Sequence, residues 1–153
     1  MSFRMNEQLQ VAKVRSVNTP NRGTEGSAGI DFYVPSDFAT MTVAPGESCF
    51  IPSGIKANVP SGYALIAFNK SGIALNQSLD VGACVVDSDY QGEIHLHLFN
   101  VGQKSVEIAG GDKLTQFLLV PVDHCPVTVV DENSLFEEST IRGSGGFGST
   151  GIK

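Results

Sequence analysis

The chain has no tryptophan, only three cysteines, and fewer basic than acidic residues, 10 against 16, among its 153 positions. Its formal net charge of −6 argues against a protein that wraps a nucleic acid polymer, because such proteins are normally basic. A single nucleotide held by a few local cations remains compatible with that charge. An odd number of cysteines without a framework spacing indicates reduced thiols in a reducing compartment.

Long apolar stretches are also missing. No run approaches the length that spans a bilayer, and the first residues lack the basic-then-apolar order of a signal peptide. We therefore expect a cytoplasmic protein (in the host-cell cytoplasm if the source is a virus) that contacts no membrane.

The residues that are present favour an all-β fold with one hydrophobic core. Hydrophobic residues make up 41% of the chain, and 17 glycines and seven prolines separate short runs rich in Val, Ile, Phe and Tyr. The predicted strands are Gln10–Val14, Ile30–Tyr33, Ser48–Pro52, Ile55–Val59, Tyr63–Phe68, Ala83–Val86, Glu93–Asn100, Leu114–Pro121 and Val127–Val130. Many short strands are typical of a sandwich or barrel. Only Ser71–Gln77 favours a short helix, and we place a barrel domain at residues 1–130 and a loose C-terminal arm at residues 131–153.

The arm ends in R-G-S-G-G-F-G-S-T-G, from Arg142 to Gly151. Glycine-rich turns present backbone N–H groups to anions, and an arginine fork binds phosphate. Phe147 can stack on a base, and Ser149 and Thr150 add hydroxyls. The segment therefore suits closure over a ligand with a phosphate chain and a flat ring, although an ordinary disordered terminus is the alternative.

Asp87-Ser88-Asp89-Tyr90-Gln91-Gly92 lies between an apolar run and the strand Glu93–Asn100. In that strand Ile94, Leu96 and Leu98 alternate with Glu93, His95 and His97. We expect a β-hairpin, with either turn-forming aspartates or a carboxylate that acts as a general base beside a tyrosine wall. A zinc site at His95 and His97 is not favoured, because no third ligand stands nearby.

Lys70, Ser71 and Gly72 lie at the start of the predicted helix, where charge, a hydroxyl and unpaired N–H groups suit phosphate. A plain N-cap at Ser71 is the alternative interpretation. Gln116, at the start of the run Phe117–Val120, is either a ligand contact or an edge residue.

Five segments taken in order resemble the five motifs of the trimeric dUTP diphosphatases (dUTPases). They are S-A-G-I-D-F-Y (Ser27–Tyr33), N-K-S-G-I-A (Asn69–Ala74), V-G-A-C-V-V-D-S-D-Y-Q-G (Val81–Gly92), G-D-K-L-T-Q (Gly111–Gln116) and the arm motif Arg142–Gly151. The resemblance spans nearly the whole chain, and the third and fifth motifs are the most specific. It implies a jelly-roll-like β-barrel (a dUTPase-like β-clip) that forms a homotrimer with active sites shared between chains.

The resemblance also implies that the chain hydrolyses dUTP to dUMP and pyrophosphate with Mg²⁺, which lowers dUTP and supplies dUMP for thymidylate synthesis. Asp87 would deprotonate the attacking water, and Tyr90 would pack under the deoxyribose. The implied uracil contacts are Cys84, Val85, Val86 and His95; the implied phosphate contacts are Lys70, Ser71, Gly72 and Gln116; Asp31 would help to place magnesium through water; and Arg142, Phe147, Gly148, Ser149 and Thr150 would close over the γ-phosphate and the uracil.

The chain departs from the family pattern at two positions. Lys70 stands where arginine is usual, which keeps the charge but loses bidentate geometry. Cys84 stands where glycine is usual and could change the shape of the base pocket. Two other functions stay open: a dCTP deaminase-like enzyme, for which Glu93 is a nearby carboxylate, and a regulatory nucleotide-sensing trimer with an additional protein partner.

Overall fold

Eleven short strands and one helix form the framework of residues 8–151, which are the residues that the structure, a computed structural model, describes. The strands are β1 Gln10–Lys13, β2 Ile30–Phe32, β3 Met41–Val43, β4 Ser48–Pro52, β5 Ile55–Asn58, β6 Tyr63–Asn69, β7 Leu79–Val81, β8 Val85–Val86, β9 His95–Asn100, β10 Val106–Ile108 and β11 Thr115–Pro121. The helix α1 covers Ser71–Gln77, and a 3₁₀ turn covers Glu132–Ser134.

The strands pair into four antiparallel sheets. One has four strands in the order β2-β11-β6-β8, and another has three in the order β4-β9-β7. Two further pairs join β1 to β5 and β3 to β10. The dominance of strand over helix confirms the all-β prediction.

Strand β9 shows why these residues fold into sheet. Its register with β4 pairs Ile51 with Leu96 and Cys49 with Leu98, and all four side chains are buried. The alternate residues, including His95 and His97, face outward, as the alternation of the sequence predicted. One face of this sheet therefore contributes to the core, while the other carries polar and aromatic groups.

The core is a single cluster of aliphatic and aromatic side chains. Its largest fully buried members include Phe32, Phe117, Ile51, Ile55, Leu65, Leu79, Leu96, Leu98 and Ile108. The rings of Phe32 and Phe117 meet with their centroids 4.4 Å apart, which joins β2 to β11 on the inner face. Burial of this apolar surface is the main stabilising contribution to the barrel.

The predicted bounds of β4 and α1 match the structure, and most other strands differ only at their ends. The predicted strand Val127–Val130 is wrong: these residues form no ladder, and Val127 and Val129 are almost fully exposed. Strands β3, β7 and β10 were not predicted, because three residues are too few to show an alternating pattern.

The chain divides into two compact units between Asp123 and His124. The first unit contains every strand and the helix described above. The second contains the 3₁₀ turn and the glycine-rich arm motif. The functional division predicted from the sequence, residues 1–130 and 131–153, stays a prediction.

Candidate active site

A cavity of about 200 Å³ opens beside β8 in the first unit. It is lined by Phe50, Ala83, Cys84, Val85, Val86, Asp87, Tyr90, Glu93, Ile94, His95 and Phe117. The structure thus brings together the six residues that the sequence assigned to base, sugar and water. Phe50 also belongs to the cavity, where its ring stacks on His95 with centroids 4.4 Å apart.

The segment from Asp87 to Tyr90 forms a turn at the edge of this cavity. The Tyr90 N–H donates to the Asp87 carbonyl at 3.2 Å. The hairpin predicted here is wrong, because β8 pairs with β6 in the four-stranded sheet while β9 pairs with β4 and β7 in the three-stranded sheet. The turn therefore crosses between two sheets, and it places the exposed Asp87 carboxylate at the seam between them.

The Tyr90 side chain is held by the segment that follows it. Its hydroxyl donates to the Glu93 carbonyl at 2.9 Å. A Cβ at Gly92 would lie 2.4 Å from the Tyr90 hydroxyl oxygen, so only glycine leaves room for this contact. The ring is about half exposed at the cavity edge, where a sugar could pack against it.

His97 fixes the backbone that enters the cavity wall. Its Nδ1 accepts the Ala83 N–H at 2.8 Å, and its carbonyl accepts the Gly82 N–H at 2.9 Å. A Cβ at Gly82 would lie 2.2 Å from the His97 Nδ1. The alternating pattern of the strand predicted only that His97 faces outward, and Gly82 was the available signal in the sequence of this close approach.

A second cluster surrounds Asp31, which is buried in β2. Its carboxylate forms an ion pair with Lys70 and lies 3.8 Å from the Lys113 Nζ. Lys70 occupies the N-cap position of α1 without a side-chain capping bond, and Ser71 is the first helical residue. The interpretation of Ser71 as an N-cap is therefore wrong. Ser71 is exposed and directly follows Lys70 at the start of the helix.

Gln116 joins this cluster from β11, opposite Asp31 in the register. Its side-chain amide donates to the Asn69 carbonyl at 2.8 Å. The Asn69 side chain is itself bound to Asp80 and to the Val81 N–H, with distances of 2.5 and 2.9 Å. The end of β6, directly before Lys70, is therefore fixed on two sides.

The predicted site residues of the first unit thus fall into two groups. The cavity residues surround Asp87, whereas Asp31, Lys70 and Gln116 form the cluster around the start of α1. Within the described residues, no member of this second cluster lines the cavity.

The arm motif forms a series of tight turns within the second unit. The Arg142 Nε donates to the Gly145 carbonyl at 2.8 Å, and the Ser149 N–H donates to the Gly146 carbonyl at 3.0 Å. Phe147 is fully exposed and has a φ of 51°, an uncommon value for a non-glycine residue. Gly148, Ser149 and Thr150 are exposed as well.

Residues 8–151 contain no group of three or more His, Cys, Asp or Glu side chains that could bind a metal ion. Over the same residues, none of the helices has the length and apolar character needed to cross a membrane.

Comparisons with known proteins agree on one family. The family model for dUTPase matches residues 15–151. The deoxyuridine 5'-triphosphate nucleotidohydrolase of Desulfotalea psychrophila is 37% identical over 146 residues, which cover 94% of each chain.

Solved structures show the same fold. A mutant dUTPase of Staphylococcus bacteriophage 80alpha, determined with dUpNHpp, has a TM-score of 0.85 at 22% identity and covers 96% of this chain and 100% of its own. A mutant dUTPase of phage phi11 of S. aureus, whose structure reveals the coordination of a structural Mg(II) ion, has a TM-score of 0.74 at 21% identity. The match covers 82% of this chain and 98% of the phage protein. These likenesses confirm the fold class predicted from the sequence.

Proposed function

This chain belongs to the dUTPase family, and on that premise we propose that it hydrolyses dUTP to dUMP and pyrophosphate. The observation that carries the proposal is the shared cavity of Asp87, Tyr90 and the β8 backbone. A carboxylate, an aromatic ring that a sugar can pack against and a hydrophobic strand line this cavity together. A free nucleotide as the substrate agrees with the cytoplasmic location predicted from the sequence.

Asp87 is proposed as the general base. Its carboxylate is exposed at the sheet seam, where a water molecule can approach it. Attack at phosphorus depends mainly on alignment and charge neutralisation, so a positioned carboxylate suffices to take the proton of that water.

Uracil is proposed to bind between the β8 side and the β9 side of the cavity. Cys84, Val85, Val86 and His95 line the cavity, together with Phe50, whose ring stacks on His95. Uracil and thymine differ by one methyl group, so a close-fitting wall rejects thymine sterically. Tyr90 is proposed to contact the deoxyribose and to exclude a 2′-hydroxyl.

The Asp31 cluster is proposed to hold phosphates. Lys70 supplies a positive charge, and Ser71, Gly72 and Gln116 supply hydrogen-bond donors. Asp31 pairs with Lys70, so it orients that ammonium group as well as offsetting its charge. The lysine at this position binds as a point charge without a bidentate fork.

The described residues of one chain do not form a complete magnesium site. Residues 8–151 contain no suitable cluster of ligands, and the Asp31 carboxylate already faces two ammonium groups. Magnesium prefers phosphate oxygens, water and one or two carboxylates. The triphosphate would then supply most of the oxygen ligands of Mg²⁺, and Asp31 would help to place the ion through water.

A homotrimer is proposed because the two groups of site residues are separate within one chain. One chain of 16.2 kDa gives 3 × 16.2 = 48.6 kDa for the assembly. The arm completes the proposed site: Arg142, Ser149 and Thr150 with Gly148 bind the γ-phosphate, and Phe147 stacks on the uracil.

The deaminase alternative loses its candidate base in this structure. The Glu93 carboxylate is bound by Arg15 and by the Gly54 N–H, at 2.6 and 2.9 Å. Arg15 lowers the pKa of Glu93 first through its hydrogen bond and further through its charge. A regulatory role with a protein partner would add to the proposed hydrolysis without replacing it.

Release of pyrophosphate from a panel of nucleoside triphosphates tests the proposal. With Mg²⁺ present, dUTP should be cleaved far faster than UTP, dTTP or dCTP. Asp87→Asn should still bind dUTP but lose about 100- to 10,000-fold in turnover, the usual contribution of a general base. Wild-type protein that prefers dCTP, or an Asp87→Asn variant with nearly normal turnover, would contradict the assignment.

A further inference from the structure

Glu93 has no part in the proposed chemistry, yet its carboxylate is unusually well bound. It accepts hydrogen bonds from the Arg15 Nε at 2.6 Å, from the Arg15 Nη2 at 3.1 Å and from the Gly54 N–H at 2.9 Å. The Glu93 side chain is only 16% exposed, while that of Arg15 is 46% exposed. Two parallel bonds from one guanidinium fix direction as well as distance.

The Arg15–Glu93 ion pair lies where three segments of the chain, around Arg15, Gly54 and Glu93, contact one another. The Val14 N–H, next to Arg15, donates to the Gly54 carbonyl at 2.8 Å. Gly54 has a φ of +74°, and a Cβ there would lie 3.1 Å from the Arg15 Cβ and 2.9 Å from a methyl group of Val17. Glycine is therefore needed for the β4–β5 turn to come this close to Arg15.

The main chain of Glu93 connects this pair to the cavity. Its carbonyl accepts the Tyr90 hydroxyl at 2.9 Å and lies 3.0 Å from the His95 Nδ1. The next residue, Ile94, is independently held by backbone bonds with Ser53 and Ile55, both 2.9 Å long. The Glu93 carbonyl and the Ile94 N–H share one planar peptide group, so this group is held from β5 as well as through the Glu93 side chain. Loss of Arg15 should therefore leave β9 in place and loosen only the Glu93 side of that peptide group.

We infer that Arg15 and Glu93 are positioning residues that hold the Tyr90 ring and so set how strongly the site discriminates deoxyribose from ribose. The inference rests on the proposed function, because it assigns Tyr90 to the sugar. The Tyr90 ring is about half exposed, and Gly92, which it approaches closely, has no side chain to restrain it. Its hydrogen bond to the fixed Glu93 carbonyl is then a principal restraint, and steric exclusion of one hydroxyl requires the ring to stay in position.

The ratio of kcat/KM for dUTP to that for UTP measures this discrimination. Arg15→Met keeps an unbranched apolar stem and removes the guanidinium group with its hydrogen bonds. We expect the ratio to fall about 5-fold, the worth of one neutral hydrogen bond. In Arg15→Lys, which keeps the charge but loses the bidentate geometry of the guanidinium group, the ratio should fall less. Lys13→Met removes the same charge from the nearby exposed strand β1 and should leave the ratio unchanged.

A double-mutant cycle separates positioning from general loosening. Tyr90→Phe removes only the hydroxyl, and it should lower the ratio by a similar factor. If Arg15 acts through that hydroxyl, Arg15→Met combined with Tyr90→Phe should be no worse than either single change. Additive effects, or an unchanged ratio in Arg15→Met, would overturn the inference.

Amide hydrogen exchange provides a readout that needs no substrate. In the ligand-free protein, Arg15→Met should speed exchange at residues 88–93 relative to Lys13→Met, with little change in β9 beyond Ile94. Unchanged exchange in that segment would overturn the positioning role even if dUTP were not the substrate. Failure of wild-type protein to cleave dUTP, with faster exchange in Arg15→Met, would instead locate the error in the proposed function.

Discussion

Gly29 should be intolerant of even one added methyl group. A Cβ built there would lie 2.0 Å from the Gln116 Oε1, 2.7 Å from its Cδ and 2.9 Å from its Cβ. Rotation of the Gln116 side chain can relieve the first two contacts but not the third, because the Cβ is fixed to the β11 backbone. Since Gln116 faces Asp31 in the β2–β11 register, the strands themselves must shift.

Two contributions lower the free energy of unfolding in Gly29→Ala. Overpacking of a well-packed site typically costs about 1–3 kcal/mol. Displacing the Gln116 amide from the Asn69 carbonyl loses a further hydrogen bond of about 1 kcal/mol. Gly29→Ala should therefore destabilise the protein by about 2–4 kcal/mol, which is less than the total stability of most domains. The protein should stay folded, but with a displaced Gln116.

Gly26→Ala is the matched control in the same segment. No heavy atom lies within 4 Å of a Cβ built at Gly26. A glycine-to-alanine change without strain stabilises by about 0.4–1 kcal/mol, because the unfolded chain loses freedom. Urea unfolding measures the free energy of unfolding of Gly29→Ala and of Gly26→Ala. Steady-state hydrolysis of dUTP should show kcat/KM reduced about 10- to 100-fold in Gly29→Ala alone, the worth of a hydrogen bond to a charged phosphate. Equal stability and equal kcat/KM in the two variants would refute this reasoning.

Two further predictions concern the arm and pH. Deletion of Gly143–Lys153 should leave thermal unfolding of the barrel unchanged while dUTP turnover collapses, because phosphate alignment and water exclusion are lost; near-normal turnover would make the arm an ordinary terminus. Because Arg15 lowers the pKa of Glu93 in the folded protein, this pair stabilises the fold above the ordinary glutamate value of 4.5, and the contribution should be lost as the pH falls below it. Urea unfolding between pH 6 and pH 3 should show a shallower pH dependence for Glu93→Gln; identical slopes would contradict the assignment.

Local patterns were sufficient to predict some elements of the fold. The alternation around Leu96 and Leu98 predicted β9 because one face of that strand is buried. The valine-rich run Val127–Val130 was wrong as a strand, because β propensity does not provide a partner strand or a buried face. The turn at Asp87 was placed correctly but misread as a hairpin, since sequence neighbours need not pair in the same sheet.

The contacts that organise the candidate site could not be predicted in the same way. Arg15 and Glu93 are 78 residues apart, and no local pattern joins them. The same holds for Gly29 and Gln116, which meet only because β2 and β11 pair. In the sequence, these contacts are indicated only by the glycines at positions 29, 54 and 82, since at each of them a side chain approaches the backbone closely.

The Asp87 cavity of one chain and the Lys70 cluster of another are proposed to act on the same nucleotide. Co-expression of Asp87→Asn and Lys70→Met chains tests this directly, with each variant alone as the inactive reference. If the two groups come from different chains, half of the sites receive an intact Asp87 and half of those an intact Lys70. Randomly mixed trimers should then recover about one quarter of wild-type dUTP hydrolysis. If both groups come from one chain, every site lacks one of them, and mixed trimers that stay inactive would contradict the account.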